Sequence, residues 1–125
     1  MRITRGAEGA AKRETGDMSK PTIPETVRTQ VDDMVTAFNK NSIKDPNRFY
    51  TTRFQGLFLY LDRVDFETES QICRLKYSGD IAKWEFAIYK YSSSRYDPDE
   101  WFFTGAGHVD GTVEGAMKAG LEAYP

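Results

Sequence analysis

The stretch RFQGLFLYLDRV, residues 53–64, decides the fold because apolar side chains recur in it at every second position. In an extended strand, successive side chains point to opposite faces of the sheet. The alternation gives two sets, Leu57, Leu59 and Leu61 on one face, and Phe54, Phe58 and Tyr60 on the other. The stretch therefore predicts a strand that is apolar on both faces at its middle.

Three further runs have the same period, namely SQICRLKY (70–77), KWEFAIYKY (83–91) and EWFFTGA (100–106). The links between the four runs, DFETE, SGD and SSSRYDPD, are short and rich in turn residues. Links of this length reverse the chain into hairpins but cannot hold the crossover helix that parallel strands need. We therefore expect a four-stranded antiparallel meander, with Trp101 and Phe103 of the last strand in the core.

A helix is predicted on each side of these strands. Before them, Thr22 stands three residues ahead of Glu25 in a capping-box pattern, and Pro24 suits a first turn. Apolar residues then fall on one helical stripe: Val27, Val31, Met34, Val35 and Phe38. This first helix is expected to end in the loop at residues 39–47.

The second helix follows the strands, with Asp110 or Thr112 as its cap. Its stripe consists of Val113, Ala116, Met117, Gly120, Leu121 and Tyr124. The small residues Ala116 and Gly120 indicate a close approach to the sheet. Two amphipathic helices and one sheet predict an α+β fold, a two-layer sandwich.

Length and composition set the wider limits. A chain of 125 residues with 39% hydrophobic residues can build one core, so we expect a single domain over residues 21–125. Residues 1–20 offer almost nothing large enough to bury and are predicted to be a disordered leader. The net charge of -2 supplies no general field for polyanions, which makes nucleic acid the less favoured partner.

Three features of the sequence bear on the cellular compartment of the protein. The single cysteine, Cys73, cannot form an internal disulfide, and no stretch has the roughly 20 apolar residues of a membrane span. The amino terminus also lacks the apolar centre of a signal peptide. We expect a cytoplasmic protein that does not bind membranes.

Three features could carry chemistry, and each has a plainer structural interpretation. Cys73 and His108 could form a nucleophile and base, but Cys73 sits among alternating core positions. The glycine-rich GAGHVDG (105–111) departs from dinucleotide spacing, and DPDE (97–100) favours a turn over a calcium loop. We therefore expect no catalytic residue, metal site or cofactor.

The remaining candidate is a surface on one face of the sheet. It mixes aromatic and basic side chains at alternating positions: Phe58, Tyr60, Arg74, Lys76, Tyr89 and Tyr91. If both helices cover the opposite face, this surface suits a protein partner or a homodimer, since Tyr, Phe and Arg are enriched at interfaces. Stacking of single-stranded nucleic acid or a small ligand is the alternative. If one helix covers each face, the same residues are ordinary core.

The end of the chain carries a resemblance. YKYSSSRYDPDEWFF (89–103) and DGTVEGAMKAGLEAYP (110–125) resemble the carboxy-terminal half of small bacterial proteins of unknown function. The resemblance implies a bacterial, cytoplasmic, stand-alone domain and transfers no catalytic residue. We expect a non-enzymatic binding or self-association module.

Overall fold

A computed structural model describes residues 21–125, which form a five-stranded sheet preceded in the chain by one α-helix and followed by another. The helices are α1 (Glu25–Phe38) and α2 (Val113–Ala123), and the strands are β1 (Arg48–Gln55), β2 (Phe58–Asp65), β3 (Thr68–Lys76), β4 (Glu85–Lys90) and β5 (Arg95–Asp97). The sheet order is β1-β2-β3-β4-β5 and every pairing is antiparallel. The α+β class, the meander and the terminal helices are confirmed, whereas the count of four strands is wrong. The predicted leader, residues 1–20, lies outside the described residues.

The first predicted strand is in fact a hairpin. Gly56 adopts a φ of 59°, the left-handed region that glycine enters freely, and it reverses the chain between β1 and β2. Phe54 then pairs with Leu59 on the same face of the sheet and packs against the core. The prediction that Phe54 and Leu59 face opposite ways is therefore wrong, because the turn resets the alternation.

The last predicted strand, residues 100–106, is not a strand. The fifth strand lies earlier, at Arg95–Asp97, inside the segment expected to be a turn. Trp101 is 50% exposed and Phe102 is 98% exposed, so the core position predicted for Trp101 is wrong. Phe103 does pack against the core, where its ring stacks on Phe86 at 5.9 Å.

A proline turn explains this shift. The Asp97 side chain accepts a hydrogen bond from the Asp99 amide at 2.9 Å, and Pro98 has no amide hydrogen to donate to a strand neighbour. The chain thus leaves the sheet after Asp97, before the aromatic run begins.

Both helices pack on the same face of the sheet. The sequence left open whether they share one face or cover one face each. One hydrophobic cluster joins residues of both helices to alternate strand residues, including Val31, Val35, Leu59, Leu61, Leu75, Phe86, Ile88, Ala116 and Met117. Met34 is the exception in the predicted stripe of α1, since it is 37% exposed. The cap of α1 also differs, because Pro24 precedes the helix and no side chain caps it.

The α2 helix lies close to the sheet at Gly120. A β-bulge in β3 places both Ile72 and Cys73 in the core, since Leu61 pairs with Cys73 while Asp62 pairs with Gln71. A Cβ atom on Gly120 would clash with Ile72 and with the Tyr50 hydroxyl. That hydroxyl donates to the Met117 carbonyl oxygen at 2.8 Å, which ties α2 to β1.

The free edge of β1, on the side away from β2, is blocked at one position by the Asn39 side chain. The Asn39 amide donates to the Tyr50 carbonyl oxygen at 3.0 Å and accepts from the Tyr50 amide at 2.8 Å. Asn39 thus imitates a neighbouring strand at this position and protects part of an edge that could pair with another chain.

Replacing Gly120 with alanine should destabilise the domain by about 2 kcal/mol, because the added methyl group overpacks the contact with Tyr50 and Ile72. Gly107→Ala is the matched control, since no atom lies within 4 Å of its added Cβ. Urea denaturation followed by circular dichroism measures both. Equal stability of the two variants would contradict the close packing.

Candidate binding surface

The face of the sheet opposite the helices, called the outer face, is built from alternate residues of five strands. It consists of Phe49, Thr51, Arg53, Gln55, Phe58, Tyr60, Asp62, Val64, Glu69, Gln71, Arg74, Lys76, Glu85, Ala87, Tyr89 and Tyr96. Register sets the neighbours, with Tyr60 beside Arg74 and Tyr89 beside Tyr96. Ala87 is the small partner of Arg74 and leaves room for the long side chain to extend over the sheet.

Cations lie over aromatic rings across this face. The Arg74 guanidinium carbon is 4.6 Å from the centre of the Phe58 ring and 5.6 Å from that of Tyr96. The Arg53 guanidinium carbon lies 4.5 Å from the Tyr60 ring. Such contacts are worth about 0.5–1 kcal/mol each at exposed sites and hold long side chains in defined rotamers.

The rings also contact one another. Tyr96 packs edge-on against Tyr60 at 5.3 Å and against Tyr89 at 4.9 Å. Its hydroxyl accepts from the Gln71 amide at 3.2 Å and from Arg53 at 3.5 Å. Burial raises the pKa of Tyr96 above its ordinary value, although both hydrogen bonds oppose the shift.

Asp62 is the most buried charge on the outer face. Its side chain is only 5% exposed, and it binds Arg53 through two hydrogen bonds of 2.6 and 3.2 Å. The hydrogen bond to Asp62 raises the pKa of Arg53 still further above its high ordinary value. The pair is a bidentate, charge-assisted contact of the kind that fixes both partners geometrically.

The charges of the outer face balance. Three cations, Arg53, Arg74 and Lys76, share the face with three carboxylates, Asp62, Glu69 and Glu85. Within residues 21–125, Arg74 forms no salt bridge, and its guanidinium group lies over the Phe58 and Tyr96 rings instead. The outer face is therefore rich in aromatic rings and carries equal numbers of positive and negative side chains.

Five of the six residues predicted for a surface lie on the outer face: Phe58, Tyr60, Arg74, Lys76 and Tyr89. Tyr89 is only 9% exposed, so its ring is nearly buried within the outer face. Tyr91 lies past the end of β4, where its ring contacts Tyr89 at 4.8 Å and Tyr124 at 5.4 Å. Tyr91 thus occupies a corner of the domain.

Sequence reasoning missed four residues that hold the layer together: Arg53, Asp62, Gln71 and Tyr96. Asp62 was detectable, since it continues the alternation of Phe58 and Tyr60. Arg53 required the hairpin at Gly56, and Tyr96 lies in a segment that has the composition of a turn.

The features first weighed for catalysis lie apart from the outer face. Cys73 is fully buried in the core, and that burial raises the pKa of its thiol well above the ordinary value. His108 is exposed and its Nε2 lies 2.6 Å from a carboxylate oxygen of Glu122. Asp110 accepts from the amide and hydroxyl of Thr112, and these hydrogen bonds lower its pKa.

These contacts account for the two loop motifs. Thr112 caps α2 by accepting from the Gly115 amide at 2.9 Å, so Asp110 and Thr112 occupy the helix start where a phosphate would bind. In the DPDE segment, Lys90 binds Glu100 at 2.8 Å. Across residues 21–125, no group of three His, Cys, Asp or Glu side chains is placed to hold a metal ion.

No family model, curated protein or solved structure matches this chain. The resemblance of the chain end to small bacterial proteins of unknown function therefore stays a prediction. In the part of the chain that the structure describes, no helix has both the length and the apolar character needed to cross a bilayer.

The Cys73 thiol should be inert in the folded protein, because it is buried and its raised pKa keeps it protonated at neutral pH. A chromogenic disulfide reagent should label it only after unfolding in urea. Rapid stoichiometric labelling of the native domain would contradict the buried position and reopen a role in catalysis.

Proposed function

We propose that this domain is a non-enzymatic binding module whose contact surface is the outer face, used against a protein partner or a second copy of the chain. The observation that carries the proposal is the layer of edge-on rings, with guanidinium groups lying over them, on a sheet face that neither helix covers. A cytoplasmic location and a bacterial source belong to the same proposal.

The composition of the layer favours a protein contact. Tyrosine and arginine dominate the energetically important positions of protein interfaces, because each offers a large contact area with a polar group at its end. Arg53, Tyr60 and Arg74 have these properties and lie next to one another.

The layer is also preorganised. Arg53 is fixed by Asp62 and by the Tyr60 ring, and Arg74 is held over Phe58. Side chains that are ordered before binding lose less conformational entropy when the complex forms. This preorganisation favours a specific contact over an adaptable one.

Charge argues against single-stranded nucleic acid. Binding of a polyanion relies on an excess of cations, whereas the three cations of the outer face are matched by three carboxylates. Bases also stack on open aromatic faces, and the rings of Phe58 and Tyr60 already lie against guanidinium groups. A protein contact is therefore the better supported of the two.

Changing Tyr60 and Arg74 together to alanine should abolish capture of the specific partner from a lysate of the source organism, while the domain stays folded. The expected loss is about 30-fold or more in affinity, because both residues have the character of interface hot spots. Arg28→Ala is the matched control, since Arg28 is an exposed cation on α1. The measurement is quantitative affinity capture with immobilised domain, and identical capture by all three proteins would contradict the proposal.

Mixed-sequence single-stranded oligonucleotides should show no saturable binding by fluorescence anisotropy, even at low ionic strength, because the outer face has no excess of cations. Binding that falls steeply with salt and weakens in Arg74→Ala and Lys76→Ala would instead support the nucleic-acid alternative.

A further inference from the structure

A second surface of the domain displays aromatic side chains that the outer face does not include. In the loop after β5, Phe102 is 98% exposed and Trp101 is 50% exposed. Scattered single apolar residues are common on surfaces, but two adjacent large rings on one loop form a patch. Such a patch indicates a contact with another molecule.

The loop makes contacts with the rest of the domain on both sides of the exposed rings. Glu100 binds the Lys90 ammonium group at 2.8 Å and accepts from the Phe102 amide at 3.0 Å. Phe103 stacks on Phe86 in the core, and its carbonyl oxygen accepts from the Ala106 amide at 3.1 Å. These contacts tie the segment on either side of Phe102 to the domain, while the Phe102 ring itself is exposed.

A cleft of about 360 Å³ lies directly beside this ring. Its lining residues include Phe102 itself, together with Ile88, Lys90, Tyr91, Phe103 and Tyr124. Aromatic walls give edge-on contacts to an entering ring, and the Lys90 ammonium group can lie over its face. The chemistry of the cleft therefore fits an aromatic side chain.

We propose that this surface joins two copies of the chain, with Phe102 of each copy seated in the cleft of the other. The projecting ring and the matching cleft lie side by side on one surface. A two-fold axis between two copies satisfies both contacts at once, as in other isologous dimers.

The charges around the cleft support a second copy. Lys90 is paired with Glu100, and Arg95 lies 3.6 Å from Asp97, so Asp99 is the one carboxylate in excess and two copies can meet without strong repulsion. The acidic neighbours of Phe102 disfavour the alternative of insertion into an anionic membrane surface.

The available area predicts a weak dimer. The exposed parts of Trp101, Phe102 and Tyr91 together offer on the order of 400 Å² per copy, given about 150–250 Å² for a whole aromatic side chain. Two copies then bury about 800 Å² from these rings, below the roughly 1,600 Å² of a standard interface. We expect association that depends on concentration in the micromolar to millimolar range.

This inference is independent of the proposed function, because no outer-face residue lines the cleft. The two surfaces can therefore be tested separately with variants that change only one of them.

Sedimentation velocity over a concentration series tests the dimer. The wild type should show a sedimentation coefficient that rises with concentration, and Phe102→Ser should weaken association about 30-fold or more, as for an interface hot spot. Phe66→Ser is the matched control, since it removes a ring that is 64% exposed at the β2–β3 turn, away from the cleft. Thermal melting should show that both variants stay folded.

A second variant tests the cleft. Thr104→Trp fills the cleft from an exposed position on its wall while leaving Phe102 in place, and it should also abolish the dimer. An equimolar mixture of Phe102→Ser and Thr104→Trp should recover part of the association, because one copy keeps an open cleft and the other keeps the projecting ring.

Three results would overturn the inference: a wild type that stays monomeric at every concentration, a dimer that Phe102→Ser leaves unchanged, or equal weakening by Phe66→Ser. If Arg74→Ala abolishes a dimer that Phe102→Ser leaves intact, self-association belongs to the outer face. The proposed function would then stand and the present inference would fail.

Discussion

The contact of α2 with the sheet at Gly120 is the constraint on which the rest of the structure depends. The helix comes so close that its Gly120 leaves no room for a methyl group beside Tyr50 and Ile72. The bulge in β3 turns Ile72 toward the helix, and the Tyr50 hydroxyl bonds to a carbonyl oxygen of α2. With α2 this close to the sheet, α1 and α2 share one face of the sheet, and the other face has no helix.

A sheet face that no helix covers must limit the exposure of its apolar rings to water by other means. Here rings and guanidinium groups bury one another, and Asp62 is almost fully buried although no helix lies above it. An exposed face of unpaired apolar rings would favour aggregation, whereas this layer places charged groups over the rings and balances their charges. The same arrangement that keeps the face compatible with water also presents ordered tyrosine and arginine side chains to a partner.

Much of the fold followed from hydrophobic periodicity. The stripes Val27–Val31–Val35 and Val113–Ala116–Met117 identified both helices, and the role of Gly120 in close packing was predicted from its position in the second stripe. The strand boundaries were harder to predict. At Gly56–Leu57 the apolar leucine continues the every-second-residue pattern through a two-residue turn, so the pattern does not reveal where β1 ends and β2 begins. β5 was missed because a strand of three residues within SSSRYDPD has no period to detect.

The candidate surface was only partly predictable for a related reason. Alternation placed Phe58, Tyr60 and Arg74 together, since their register follows from the β2–β3 hairpin. The groups that organise them, Arg53 and Tyr96, come from the two strands that sequence analysis misplaced.

The most direct test of the outer face as the contact surface is chemical-shift mapping of the isotope-labelled domain in a cell extract. We expect shifts and line broadening to concentrate on outer-face residues such as Arg53, Tyr60 and Arg74. Changes confined to the exposed sides of α1 and α2, with the outer face unaffected, would contradict it.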